Sequence, residues 1–296
     1  MSATAARRYG AAGAVMPLLG SMISLCIGTS YAKTVFPVAG PAGMTALRLG
    51  LSMLLIVGLQ RPWRWRLDRA ESVAVLRYGG ALGLMNLSFY EAVARLPLGV
   101  AIAIEFLGPL AVAILGSTRR IDLLWIACAA AGVAILVLPG PQAHALDLTG
   151  ALFALGAAFF WALYIVWGRQ ATAVLRETQV VCLGLIVAAL IAVPVGWATA
   201  GAVLLRPDVL GIGCIVALLC SALPYSLEMI ALKRLPAHVF GLLVSLEPVI
   251  GALAAFAILG ERLGVLQWLA IVAIMLASCG STVSHVRDAR AAPVLL

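Results

Sequence analysis

Apolar runs about as long as a membrane is thick recur along the whole chain, and they leave few folds open to it. A helix needs about 20 apolar residues to cross a bilayer, and ten such runs are separated only by short connections. Only 11% of the residues are charged, against about 25% in soluble domains. The chain therefore predicts an all-α integral membrane protein with ten transmembrane helices in a lipid bilayer. Their approximate limits are 15–36, 42–60, 73–94, 98–116, 122–138, 148–168, 178–198, 208–232, 238–258 and 264–284.

The 20 Lys and Arg residues predict how these helices are oriented. With the N-terminus in the cytoplasm, 14 basic residues fall on the inner side, three on the outer side and three within helices. Short cytoplasmic loops carry an excess of Lys and Arg, so both termini are predicted to be cytoplasmic. The net charge of +8 is spread over several connections. A nucleic-acid partner, which would need a clustered basic face, is therefore not expected.

A short pattern that occurs twice predicts an internal duplication. Arg95-Leu96-Pro97 is followed twelve residues later by Pro109, and Arg234-Leu235-Pro236 is followed twelve residues later by Pro248. The offset between the copies is 139 residues. Since five predicted helices separate the copies, they face opposite sides of the membrane. We predict two inverted five-helix repeats, at residues 15–138 and 148–284, an arrangement typical of secondary transporters.

Two acidic residues lie beside prolines inside predicted helices. Glu105 precedes Pro109 by four residues, so its carbonyl loses the N–H donor that a helix would supply. Glu247 directly precedes Pro248, at the repeat position of Gly108. A charge at the centre of a membrane helix costs at least about 2.5–3.5 kcal/mol, and such residues are functional by default. Both acids predict substrate binding or proton coupling. The alternative is a structural ion pair or a bond within a broken helix.

Two basic residues within predicted helices could complete such a site. An amino acid carries both charges, so its site should offer a cation as well as an acid. Arg48 lies deep in the second helix, whereas Lys33 lies near the end of the first. Lys33 has an alternative interpretation, since a lysine near a helix end can extend its ammonium to the lipid headgroups.

Three further pairs of polar or aromatic residues are spaced three or four apart, so each pair shares one helix face. We predict that they line a cavity; packing or an interfacial ion pair is the alternative reading. The pairs are Asn86 with Tyr90, Trp161 with Tyr164, and Tyr225 with Glu228.

Motifs for other classes of function are absent from the sequence. There is no HExxH, Gly-x-Ser-x-Gly or DxxD pattern, so we expect no enzyme. The three histidines are far apart, and the six cysteines lie in apolar runs without a CxxC pair. We therefore expect no metal site and no cofactor.

Several of these segments resemble a known family. The features that carry the resemblance are the two proline-containing copies, Arg48 in the second helix and the stretch Ile258-Leu259-Gly260-Glu261-Arg262-Leu263. They resemble the EamA-type branch of the drug/metabolite transporter superfamily. The segments 99–109, 222–232 and 245–248 are similar to its threonine/homoserine exporter subgroup. The resemblance implies an inner-membrane exporter of small amino acids driven by proton exchange. Efflux of another small metabolite or drug, and a membrane protein that transports nothing, are the alternatives.

Overall fold

The computed structural model describes residues 3–115, 120–137, 147–224, 227, 231, 235 and 237–291, and every regular element within them is helical. The all-α prediction is confirmed for this part of the chain. The α-helices are α1 (Ala3–Thr34), α2 (Phe36–Gln60), α3 (Arg69–Arg95), α4 (Leu98–Glu105), α5 (Leu107–Leu115), α6 (Arg120–Val137), α7 (Leu148–Val174), α8 (Glu177–Ala200), α9 (Pro207–Ala217), α10 (Ala237–Val244), α11 (Glu247–Leu259) and α12 (Val265–Ala291). Short 3-10 helices occupy Pro62–Arg64 and Gly201–Leu205, and a π-helical turn occupies Leu218–Ala222.

The helices have the length and composition of a membrane protein. Each predicted span coincides with one helix, or with helices separated by a break, in the described ranges. Ten crossings and an inverted repeat stay predictions. Among the residues that the structure describes, five stretches are long and apolar enough to cross a membrane, namely Val15–Thr34, Phe36–Gln60, Leu148–Val174, Glu177–Leu205 and Leu242–Leu259. Shorter apolar helices occupy Leu98–Val112, Leu123–Ile135, Pro207–Ser221 and Val265–Ser281.

Two of the predicted spans are broken at equivalent positions of the predicted repeat. The first break separates α4 from α5, and the second separates α10 from α11. A proline cannot donate to the carbonyl four residues before it. Pro109 follows the last residue of α4 by four, and Pro248 follows the last residue of α10 by four. The helical hydrogen bonding therefore stops in both copies where the prolines remove the next donor.

Helices from the two predicted halves pack against each other in the interior. α2 packs on α8, α3 packs on α7 and α8, α1 and α4 pack on α11, and α6 packs on α12. A Cβ added at Gly99 would lie 2.6 Å from the Cβ of Ala252, and one at Gly251 would overlap the side chain of Ile102. Small residues allow this close approach of membrane helices. The antiparallel contact brings the end of α4 towards the start of α11.

Candidate functional site

A cavity of 340 Å³ lies between helices of both predicted halves. The first half contributes α1, α2, α3 and α4, and the second contributes α7, the π-helical turn, α10 and α11. Transporter sites commonly lie between repeats, beside discontinuous helices, and both helix breaks adjoin this cavity. Its walls are formed by Leu25, Cys26, Thr29, Arg48, Leu82, Met85, Asn86, Phe89, Ile102, Glu105, Trp161, Tyr164, Cys220, Pro224, Phe240, Val244 and Glu247.

Three charged residues predicted from the sequence meet in this cavity. Arg48 and Glu105 are each 7% exposed, and Glu247 is 9% exposed. Glu105 is the last residue of α4, and Glu247 is the first residue of α11. Buried charges are costly unless they have partners. One guanidinium and two carboxylates in a shared cavity supply opposite charges at close quarters.

Arg48 is held from two sides. Its Nη2 donates to the carbonyl of Cys220 at 3.0 Å. Its guanidinium carbon lies 5.6 Å from the centre of the Tyr90 ring, within the range of a cation–π interaction. Tyr90 is fully buried and packs against Phe36. Tyr90 is not among the residues that line the cavity, and its ring supports the guanidinium of Arg48.

Pro224 removes one potential helical donor to the carbonyl that Arg48 binds. In the π-helical turn, the N–H of Leu223 donates five residues back, to Leu218. The next residue is proline, which has no N–H, so it cannot donate to the carbonyls five and four residues before it. These are the carbonyls of Leu219 and Cys220. Ser24 Oγ donates to the first at 2.7 Å, and Arg48 donates to the second.

Trp161 and Tyr164, one of the predicted pairs, each pack against another aromatic ring. Trp161 meets Phe106 edge to face, with ring centres 5.2 Å apart. Phe106 is the residue between α4 and α5, so Trp161 supports the first helix break. Tyr164 stacks on Tyr78 with ring centres 4.9 Å apart. Both members of the predicted pair also line the cavity.

Asn86 lines the cavity from α3. Its Nδ2 donates to the carbonyl of Leu82 at 2.9 Å. This bond to its own helix fixes the orientation of the amide at the cavity wall.

Lys33 lies outside the cavity wall, in a cluster that we call the Lys33–Glu261 clasp. Its Nζ lies 2.6 Å from Glu261 Oε1 and donates to the carbonyl of Leu96 at 2.7 Å. Glu261 Oε2 accepts the N–H of Leu98 at 2.9 Å. The clasp joins α1, the start of α4 and the segment after α11. The glutamate of the stretch Ile258–Leu263 thus has a packing role that the sequence pattern did not indicate.

Two predicted site residues, Tyr225 and Glu228, lie outside the described residues. Other residues that line the cavity were not predicted from the sequence, among them Thr29, Cys220 and Pro224. The signal for Cys220 was its distance of four residues from Pro224, which marks its carbonyl as one without a helical donor. Thr29 has no comparable signal beyond its polarity in an apolar helix.

Comparison with known proteins gives related sequences and a related fold. Residues 148–283 match the EamA-like transporter family. The threonine/homoserine exporter RhtA of Escherichia coli is 44% identical over 276 residues, which cover 93% of each chain. Its counterpart in Salmonella typhimurium is 44% identical over 274 residues, covering 93% of this chain and 92% of the relative. A crystal structure that is 18% identical aligns with a TM-score of 0.58 over 92% of this chain and 98% of its own. That last likeness shows the fold alone.

Proposed function

Since the chain belongs to the EamA-like transporter family, we propose that it exports small amino acids of the threonine and homoserine type across the inner membrane. Relatives that are 44% identical over 93% of the chain carry the name threonine/homoserine exporter. Export proceeds by alternating access and is coupled to the entry of protons. In this proposal the chain crosses the membrane ten times, as two inverted repeats with both termini in the cytoplasm.

The observation that carries the proposal is the charge content of the cavity. An amino acid is a zwitterion, and its site must match a carboxylate and an ammonium. Arg48 offers a planar guanidinium, which can bind a carboxylate through two parallel hydrogen bonds. Glu105 and Glu247 offer partners for the ammonium. These interactions are strong because the cavity is buried, where the effective dielectric constant is lower than in water.

The same charges account for exchange with protons. With all three groups ionised, the lining carries one positive and two negative charges, and a zwitterion adds no net charge. A carboxylate that takes up a proton no longer forms an ion pair with the substrate ammonium. The proton and the substrate therefore compete for the cavity, and each crosses the membrane in the absence of the other. This competition is the chemical requirement for antiport.

Flux measurements in liposomes test the proposal. Purified protein is reconstituted with labelled threonine or homoserine, and flux is followed under an imposed pH gradient. The wild-type protein should move both amino acids in response to the gradient. Glu105→Gln should insert normally but lose gradient-driven flux, because the amide cannot exchange a proton.

The matched control is Glu91→Gln, which removes an acid of α3 that pairs with Arg95 away from the cavity. It should behave as wild type. Gradient-driven flux of wild-type size in Glu105→Gln would reject the coupling role of this residue. Absence of threonine and homoserine flux in the wild-type protein would reject the substrate class, and counterflow with other metabolites would then test the broader efflux function. Comparing Glu105→Gln with Glu247→Gln identifies the proton carrier as the acid whose loss spares exchange but removes the response to pH.

A further inference from the structure

Two backbone carbonyls just before Pro224 accept hydrogen bonds from side chains of the first predicted half of the chain. Ser24 of α1 holds the carbonyl of Leu219, and Arg48 of α2 holds the carbonyl of Cys220. We propose that Ser24 is a positioning residue for substrate binding, because its bond to Leu219 keeps Arg48 on the neighbouring carbonyl of Cys220 and facing the cavity. This inference rests on the proposed function, in which Arg48 binds the carboxylate of the substrate.

Ser24 lies at a close contact between α1 and the π-helical turn. One turn further along α1, a Cβ added at Gly28 would lie 2.8 Å from the Cβ of Leu219. The small residue at this position allows the backbone of α1 to approach the turn. The approach in turn allows a side chain as short as serine to reach a backbone carbonyl across the interface. Ser24 itself is buried and is not among the residues that line the cavity.

Loss of the Ser24 hydroxyl would leave the Leu219 carbonyl without its donor at the packed contact with α1. A buried acceptor without a donor is unfavourable, and the helix cannot supply one because residue 224 is proline. The guanidinium of Arg48 already bonds to the next carbonyl along the chain. It carries five N–H donors in a planar fork, so after a small shift it could donate to the Leu219 carbonyl that Ser24 no longer binds. That shift withdraws the guanidinium from the substrate carboxylate.

Equilibrium binding to the purified full-length protein tests this role. Ser24→Ala should weaken the binding of labelled threonine by about fivefold, the equivalent of one hydrogen bond. Ser24→Thr, which retains a hydroxyl, should bind threonine within about twofold of wild type. The matched control is Ser30→Ala on the same helix, where the hydroxyl donates to the carbonyl of Cys26 within α1. It should leave the affinity unchanged.

A substrate analogue separates positioning of Arg48 from a general loss of structure. Threoninamide replaces the carboxylate by a neutral amide and keeps the ammonium. Ser24→Ala should therefore leave its affinity, measured by competition with labelled threonine, close to the wild-type value. Equal weakening of threonine and threoninamide would overturn the proposal, as would an unchanged threonine affinity in Ser24→Ala or a failure of Ser24→Thr to restore it.

Pro224→Ala supplies an independent test, because alanine restores a backbone N–H at the break. In the register in which the N–H of Leu223 donates to Leu218, the restored N–H of residue 224 donates to the carbonyl of Leu219. The effect of Ser24→Ala should shrink below about twofold in the Pro224→Ala background, since residues that share a partner are not additive. A full fivefold effect in that background would contradict the mechanism. If wild-type protein bound neither threonine nor homoserine, the proposed function would fail first, and that outcome differs from wild-type binding that is insensitive to Ser24.

Discussion

Replacing Glu261 tests the Lys33–Glu261 clasp, because the two oxygens of this carboxylate have different partners. Oε1 pairs with Lys33, and Oε2 accepts the N–H of Leu98 at the start of α4. The side chains of Lys33 and Glu261 are 20% and 19% exposed, so we place the ion pair near the upper end of the surface range, at about 1 kcal/mol. Loss of the acceptor for the N–H of Leu98 should lower the free energy of unfolding by a further ~1–2 kcal/mol. Glu261→Gln keeps an oxygen for Leu98 and should cost about 1 kcal/mol, whereas Glu261→Ala should cost about 2–3 kcal/mol.

Thermal unfolding of the detergent-solubilised protein measures both effects. In a chain of this size about 1 kcal/mol corresponds to about 2 °C in Tm, so we expect decreases of about 2 °C and about 4–6 °C for the Gln and Ala variants. Asp208→Asn is the control, since it removes an ion pair with Arg206 whose side chains are more than half exposed, and such pairs contribute little. Equal decreases in the two Glu261 variants would refute the role of the Leu98 bond. Decreases no larger than that of Asp208→Asn would refute the clasp as a stabilising contact.

Three further replacements probe the cavity and the helix contact around it. Arg48→Lys should weaken threonine binding at least about tenfold, because an ammonium cannot bind a carboxylate with the planar two-bond geometry of a guanidinium; an unchanged dissociation constant would argue against that contact. Gly251→Leu should lower Tm by several degrees, since the new side chain would overlap Ile102 and overpacking typically costs about 1–3 kcal/mol; a wild-type Tm would show that α4 and α11 can separate freely. Trp161→Ala should lower threonine flux and Tm more than Trp161→Phe, which retains an aromatic ring against Phe106; equal losses would show that the ring contact does not support the first helix break.

The helices and their breaks could be predicted from local features of the sequence. Long apolar runs need no long-range information, because each must form its own backbone hydrogen bonds in lipid. The effect of Pro109 on Glu105 is equally local, since the missing donor acts four residues earlier. The two acids were therefore identified as site candidates from their own helices, and the structure brings both to one cavity.

The partners of the basic residues could not be predicted in this way. Arg48 bonds to a carbonyl 172 residues away, and Lys33 bonds to one 63 residues away. Pro224 marks the carbonyl of Cys220 as one that loses a helical donor, but residue type does not show which distant side chain binds a carbonyl. Neither pairing could therefore be read from the sequence. Spacing along a helix also predicts side-chain roles incompletely, as Tyr90 shows. Its distance of four residues from Asn86 places both on one helix face and predicts the same role for both. The structure uses the two differently, with Asn86 at the cavity wall and Tyr90 behind Arg48.

The matched helix breaks imply how the direction of the transport cycle is set. In the proposed inverted arrangement, identical copies would exchange conformations between the two membrane faces, and the inward-open and outward-open states would then have equal free energies. Any preference must come from positions at which the copies differ. Glu105 corresponds to Val244, and Gly108 corresponds to Glu247, and three of these four residues line the cavity. The acids proposed to bind the substrate are thus among the positions that break the symmetry, so replacing one of them should change both the ligand affinity and the resting orientation of the transporter.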